Sequence, residues 1–441
     1  MSMRRDLLRS CLAGFLTLAA AGCGGSAALR AAEAGRFGDL GRALAEELQR
    51  GDLDDEEVRS IARAVAAGEI ARAAPPRGAE RLRELRSCAR HVEDVLAERA
   101  AGADAIAPIA AMILLDAGLA DAEETKERAA LMEAGPSALS GAYRAVHARA
   151  LVGSGDGPKR RERMVDGDQE VRIAALRAAA AVADPRDREA VLDVARLDPY
   201  PLARTLAIRA AAALGGEAVV LALRDVWVLA DDPAREAIAD AWAASRAVDA
   251  GGRKHLLWTI ATQRSAPAIA AARALSAAGA AGAADAIEVL TRAIESGPTK
   301  DRVYAIHAAP VAEASVRAAL TKAQDDPDEA VVLAALERWL EPTVEAARAP
   351  GVRAAAAARL LKIAQGTTTR ALLAKGALAR AGVREVVPVL ARDVRSSDDR
   401  LRGAAGVALA GMGERARAAP LLADPEPGVR TSVACAILSG P

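Results

Sequence analysis

Apolar and polar positions along this chain repeat at helical spacing, and one stripe returns many times. Val171-Arg172-Ile173-Ala174-Ala175-Leu176, Ala203-Arg204-Thr205-Leu206-Ala207-Ile208 and Val331-Val332-Leu333-Ala334-Ala335-Leu336 share an order of small and large side chains. Such a stripe is too wide for a lone surface helix and must be covered on both sides. Second amphipathic segments lie between, at 188–197, 218–230, 252–262, 284–296, 315–323, 383–394 and 414–423. No sustained alternating run of β-branched or aromatic residues competes with them. The pattern predicts an all-α chain built of helix pairs.

Turn chemistry sets the repeat length. Asp198-Pro199-Tyr200-Pro201-Leu202-Ala203-Arg204 precedes one helix, and Asp424-Pro425-Glu426-Pro427-Gly428-Val429-Arg430 matches it near the other end. Asp232-Pro233 and Asp326-Pro327 open two more units, so the starts are 34, 94 and 98 residues apart. The two longer gaps divide into three steps each, giving a period of about 32 residues. Asp is expected to accept hydrogen bonds from free N–H groups at the helix start, and Pro suits the first turn. Two helices per repeat, neither able to bury its stripe alone, predict an α-solenoid.

The pairs Asp166/Arg172, Asp198/Arg204 and Asp424/Arg430 recur once per repeat. They read as a structural ladder, each Arg meeting acidic turn residues of its own or the adjacent repeat, rather than as charged ligand positions. Ile238 and Val332 stand where two further arginines are expected, and 343–381 keeps its helices but loses clean phasing.

The Asp-Pro starts, the Val-Arg six residues after Asp and the Ala-rich helix resemble HEAT repeats. The likeness is greatest to the short bacterial HEAT-like repeats also found in phycobilin-lyase relatives, and it covers roughly 158–440. It implies a solenoid of helical hairpins. By fold analogy alone it also implies an alternative function, a cofactor-handling or lyase-like enzyme.

The N-terminus reads as an address. Met1–Arg9 is basic, Ser10–Ala21 is small and apolar, and Leu18-Ala19-Ala20-Ala21-Gly22-Cys23 resembles the lipobox of bacterial lipoproteins. Ala20 departs from the usual Leu. Residues 1–22 are therefore expected to be a signal peptide, with Cys23 lipidated and 23–35 a tether opened by Gly24-Gly25-Ser26. Arg4-Arg5 fits both general secretory and twin-arginine export, and the choice stays open. No Asp follows Cys23, which favours the outer membrane, so the expected place is its periplasmic face. Residues 36–152 look helical without the repeat signature and are expected to form an N-terminal cap or subdomain. Asp54 and Glu57 hold capping-box spacing there, and Pro75-Pro76 ends a helix. Gly153–Pro158 is expected to be the hinge before the 158–441 solenoid.

Composition supports thin layers. The 441 residues are 52% hydrophobic but only 2% aromatic, so Ala fills the interior and lets helix axes approach closely. Charges balance at 59 against 59, which gives no reason to expect nucleic acid as a partner. Cys88 and Cys435 lie near opposite ends of the chain; in an extended stack they would stand far beyond disulfide reach, so two free thiols are expected.

Candidate chemistry is sparse. His91, His147, His255 and His307 are widely spaced, with no zinc-ligand pattern. Gly153–Lys159 fails as a phosphate loop because Pro158 and Arg160 replace its needed Gly and Ser/Thr. The basic run Lys159–Arg163 reads as a solvated helix face. No enzyme activity, cofactor or metal is expected. Trp227, Trp242 and Trp258 fall on successive helices in a ring-poor chain. They are expected to be core for the most part, with a groove-lining role as the alternative. The function predicted is a membrane-tethered, non-catalytic scaffold that binds an unidentified protein or envelope component.

Overall fold

A computed structural model describes residues 26–74, 77–135, 139–244, 247–279, 282–341 and 350–440. The signal segment with Cys11, the lipidation candidate Cys23 and the Pro75-Pro76 break lie outside the described residues. Within them the chain is all-α, with no strand. It divides into two units, Leu96–Val389 and a second one made of residues 1–95 with Leu390–Pro441.

The larger unit is an α-solenoid. First helices of successive hairpins stack on one another, as Ser140–Ala150, Gln169–Val182, Pro201–Leu214 and Asp232–Ala243 do. Second helices such as Arg188–Leu197 and Glu217–Leu229 pack behind them. Ala174, Ala175, Ala178, Ala207, Ala210 and Ala211 are buried at these contacts beside Leu176 and Ile208. Small side chains keep the layers thin, and each stripe is covered only by its neighbours.

The turn chemistry differs in detail from the expectation. Asp198 does not cap the next helix, which starts at Pro201 with Tyr200 at the cap and no side-chain hydrogen bond. Asp198 braces the turn instead, its Oδ1 accepting from the Tyr200 N–H at 2.8 Å. Asp424 does the same for Glu426 at 2.9 Å. Capping falls two residues later, on Asp168, Asp328 and Glu426. In the third unit Asp231 caps the helix that contains Asp232-Pro233, accepting from the Ala234 N–H at 3.0 Å.

Two expectations about organisation fail. The proposed hinge at Gly153–Pro158 is pinned, since the Asp156 carboxylate accepts from the Gly153 N–H at 2.8 Å and from Lys126 Nζ at 3.1 Å. Residues 96–152 cluster with the repeat helices in one compact unit. The basic run that follows is not a solvated face. Arg160 is fully buried, donating to Asp187 at 2.6 Å and to the Leu151 carbonyl at 2.8 Å, and Arg163 pairs with Glu133 and Asp166. Buried guanidinium groups are tolerated here because partners replace their water.

The second unit corrects the cysteine expectation. Cys88 and Cys435 form a disulfide, with Cα atoms 5.2 Å apart across 347 residues of sequence. The extended-stack premise placed the N-terminal helices far from the last repeat. In fact Asp55–Ala71 lies along Pro427–Ser439. The two run antiparallel: Glu69, late in one, meets Arg430, early in the other, while Asp55 pairs with Arg415, which also donates to the Gly440 carbonyl at 3.2 Å. Asp54 caps its helix through the Glu57 N–H at 2.8 Å, as the spacing predicts.

One glycine is required by close approach. Val248–Gly252 forms a wide π-type turn before the helix Arg253–Thr262, with Gly251 at φ +106°. A β-carbon on Gly252 would sit 2.1 Å from the Trp242 carbonyl oxygen. Gly252→Ala should therefore destabilise the solenoid unit by about 2 kcal/mol, read as a lower denaturant midpoint at unchanged slope.

Candidate interaction surface

The Asp/Arg pairs form rungs between successive turns. Arg172 donates to both Asp198 oxygens, at 2.6 and 3.0 Å, and to the Asp166 carbonyl of its own turn at 2.9 Å. Arg204 donates to the Asp198 carbonyl at 3.0 Å and to Asp231 at 3.3 Å. Arg144–Asp166 precedes these at 3.2 Å, Arg302–Asp326 follows at 2.7 Å, and Arg402 makes a two-pronged contact to Asp424 at 2.7 and 3.0 Å. Arg172, Arg204 and Arg402, which also hold carbonyls of their own turns, thus tie each turn to the next, a contact that positions repeats and leaves little charge for a ligand. The last arginine, Arg430, holds the carbonyls of Asp424 and Pro425 and finds its acid in Glu69, at 2.6 Å.

Where Ile238 replaces an arginine the ladder gives way to a stack of rings. Trp227 and Trp242 are buried, their centroids 5.1 Å apart, and His255 lies 5.2 Å from Trp242 on the ring plane's side. Trp242 Nε1 donates to the Val220 carbonyl at 3.2 Å, so the indole is satisfied inside the core. Burial, with Arg224 and Lys254 nearby, holds the His255 pKa below the ordinary histidine value, so the ring is neutral at neutral pH. Trp258 is different: it is 50% exposed. The structure thus separates the three tryptophans, two in the core and one at the surface.

A row of exposed aliphatics went unnoticed in the sequence. Val165, Leu197 and Leu229 are 73%, 78% and 91% exposed and stand 32 residues apart, at the end of the second helix in three successive hairpins. Their strict period was the available signal. Stacked helices place such equivalent positions about 8–10 Å apart.

His147 Nδ1 lies 2.8 Å from Glu133 Oε2. Burial raises the Glu133 carboxyl, but hydrogen bonds from His147 and Arg163 outweigh it and hold the pKa low. Among the described residues no group of His, Cys, Asp and Glu could hold a metal ion, and no helix is long and apolar enough to cross a membrane.

No protein-family model matches the chain, and no curated protein matches it. Solved structures resemble it only distantly. An engineered protein from the Northeast Structural Genomics Consortium is 21% identical over 82% of this chain and 96% of its own, with a TM-score of 0.29. Kap121p is 13% identical over 84% of this chain, with a TM-score of 0.28, and a mutant of it is 12% identical at 0.30. This chain spans just over half the length of Kap121p, 55% and 56% in the two structures. Likenesses this distant say nothing about partners or activity.

Proposed function

We propose that this protein is a non-catalytic binding scaffold of the bacterial cell envelope, tethered by lipid on Cys23 and engaging a protein segment or envelope component along its solenoid. The observation that carries the reading is the row Val165, Leu197 and Leu229, with Trp258 also at the surface. One aliphatic per repeat on a rigid frame offers a periodic, extended contact line, which is how solenoids bind. The disulfide supports the exported part of the reading, because cytosolic thiols are held reduced.

Two measurements test it. Photo-crosslinkers placed at Leu197 or Leu229 in living cells should give a discrete adduct that a crosslinker at exposed Arg292 does not. Equal labelling from all three sites would remove the row from consideration. Metabolic labelling with a fatty acid should mark the wild-type chain and spare Cys23→Ser; label on both forms, or on neither, would remove the anchor.

The tryptophans should divide in the same way. Trp258→Ala is expected to leave stability within about 0.5 kcal/mol and to weaken the adduct. Trp227→Ala, which empties a packed site, should cost about 3–5 kcal/mol in a denaturant melt.

A further inference from the structure

We propose a second, small-molecule site in the solenoid unit: a pocket beside Asp301 that binds a small aliphatic α-amino acid as its zwitterion. The pocket encloses about 200 Å³ between the helices Arg253–Thr262, Ser265–Ala277, Ala283–Ser296 and Thr299–Ala308. That volume suits an amino acid better than a drug-sized ligand, which takes several hundred Å³.

Asp301 is the first observation. It lines the pocket at 7% exposure, and among the described residues its carboxylate has no hydrogen-bond or ion-pair partner. Its neighbour Lys300 is turned to Asp232 at 3.0 Å. A place in the first turn of Thr299–Ala308 eases the charge but supplies no donor. The carboxylates of Asp187, Asp198 and Asp424, buried to a similar degree, are each ion-paired. An unpaired one facing a cavity points to a cationic group that arrives from outside.

The second observation lies at the start of Ser265–Ala277. Arg264 occupies the cap and makes no side-chain capping bond, and both it and Ser265 line the pocket. Arg264 itself makes no ion pair among the described residues; its guanidinium donates only to the Gln263 carbonyl, at 3.1 Å. Ser265 is held at φ +58°, a left-handed conformation unfavourable for a residue with a β-carbon and typical of positions kept for a task. A guanidinium without an acid partner and a hydroxyl suit a carboxylate. The other cation at the rim, Arg292, is already engaged by Glu288.

Opposite charges lining one pocket together with apolar side chains fit one class of ligand. The ammonium group meets Asp301, the carboxylate meets Arg264 and Ser265, and a short aliphatic side chain packs on Ile260, Ile269 and Val289.

Calorimetric titration of the purified full chain with valine, isobutylamine and 3-methylbutanoate tests this directly. The last two are valine without its carboxylate and without its ammonium group. Valine should bind at least tenfold more tightly than either. Asp301→Asn should lose valine binding at least tenfold while the unliganded melting temperature stays or rises, because an unpaired buried charge has been removed. Arg264→Gln should lose binding with no change in melting. Isobutylamine binding as tightly as valine, valine failing to bind at tens of millimolar, or Asp301→Asn melting earlier with its affinity unchanged would each overturn the proposal.

Discussion

Replacing Cys88 and Cys435 together by serine should lower the stability of the two-segment unit by about 3–5 kcal/mol, with the solenoid unit's own transition unchanged. A cross-link restricts the unfolded chain, and the loss grows with the logarithm of the loop it closes. Here the loop spans 347 residues, for which the chain-entropy relation gives roughly 5–6 kcal/mol. Residual structure in the unfolded chain lowers that figure, since the solenoid unit inside the loop holds part of the chain compact. Both sulfurs are buried, and Ser87 Oγ lies 3.1 Å from Cys435 Sγ, so the serines enter a site already partly polar. The measurement is hydrogen exchange on Asp55–Ala71 with and without a thiol reductant. Equal protection in both conditions would show that the bridge adds nothing to this unit.

Arg430→Ala should cost the same unit about 3–5 kcal/mol, more than any other rung of the ladder. Glu69 and Arg430 have side chains only 2% and 8% exposed. Removing the guanidinium takes the nearer cation from a buried carboxylate, to which Arg72 comes only within 3.7 Å and is itself 43% exposed. It also removes donors from the Asp424 and Pro425 carbonyls and a cation from the Phe37 ring, 3.9 Å from its centroid. Glu69→Gln keeps an acceptor and should cost less. Pairing Arg430→Met with Glu69→Leu should recover much of the loss, because both desolvation penalties vanish together. A double-mutant cycle with no coupling would contradict this account.

How much of this was legible in the sequence depends on how local each cause is. The helices and the Asp/Arg positions followed from side-chain order within one hairpin, and the 32-residue step from the recurrence of that order, because propensity, turn chemistry and stripe width act over a few residues. Even there, Asp198 proved to brace a turn rather than cap a helix, a distinction of two residues that the Asp-Pro pattern does not carry. Non-local facts were hidden. Cys88 and Cys435 were judged by their distance along an assumed line, and nothing near either residue announces the other. Glu69 did leave a trace: it follows Val58, Ile61, Ala62, Val65 and Ala66 on the apolar face of its helix, where a carboxylate needs a partner from elsewhere. Arg160 left a similar one, beside Met164 on the buried side of Gly157–Met164. Asp301 left none, since an acid in a first helical turn is ordinary.

The joining of residues 27–95 to the last fifty of the chain also imposes a timetable. A ribosome adding 5–20 residues per second needs roughly 20–70 s to cross the 347 positions between the two cysteines. Throughout that interval the early helices have been made while the surface they need has not. Whatever shields Val58, Ile61 and Val65 from aggregation in the meantime must be supplied by the cell, so shortages of holdase capacity should fall on this end of the molecule first.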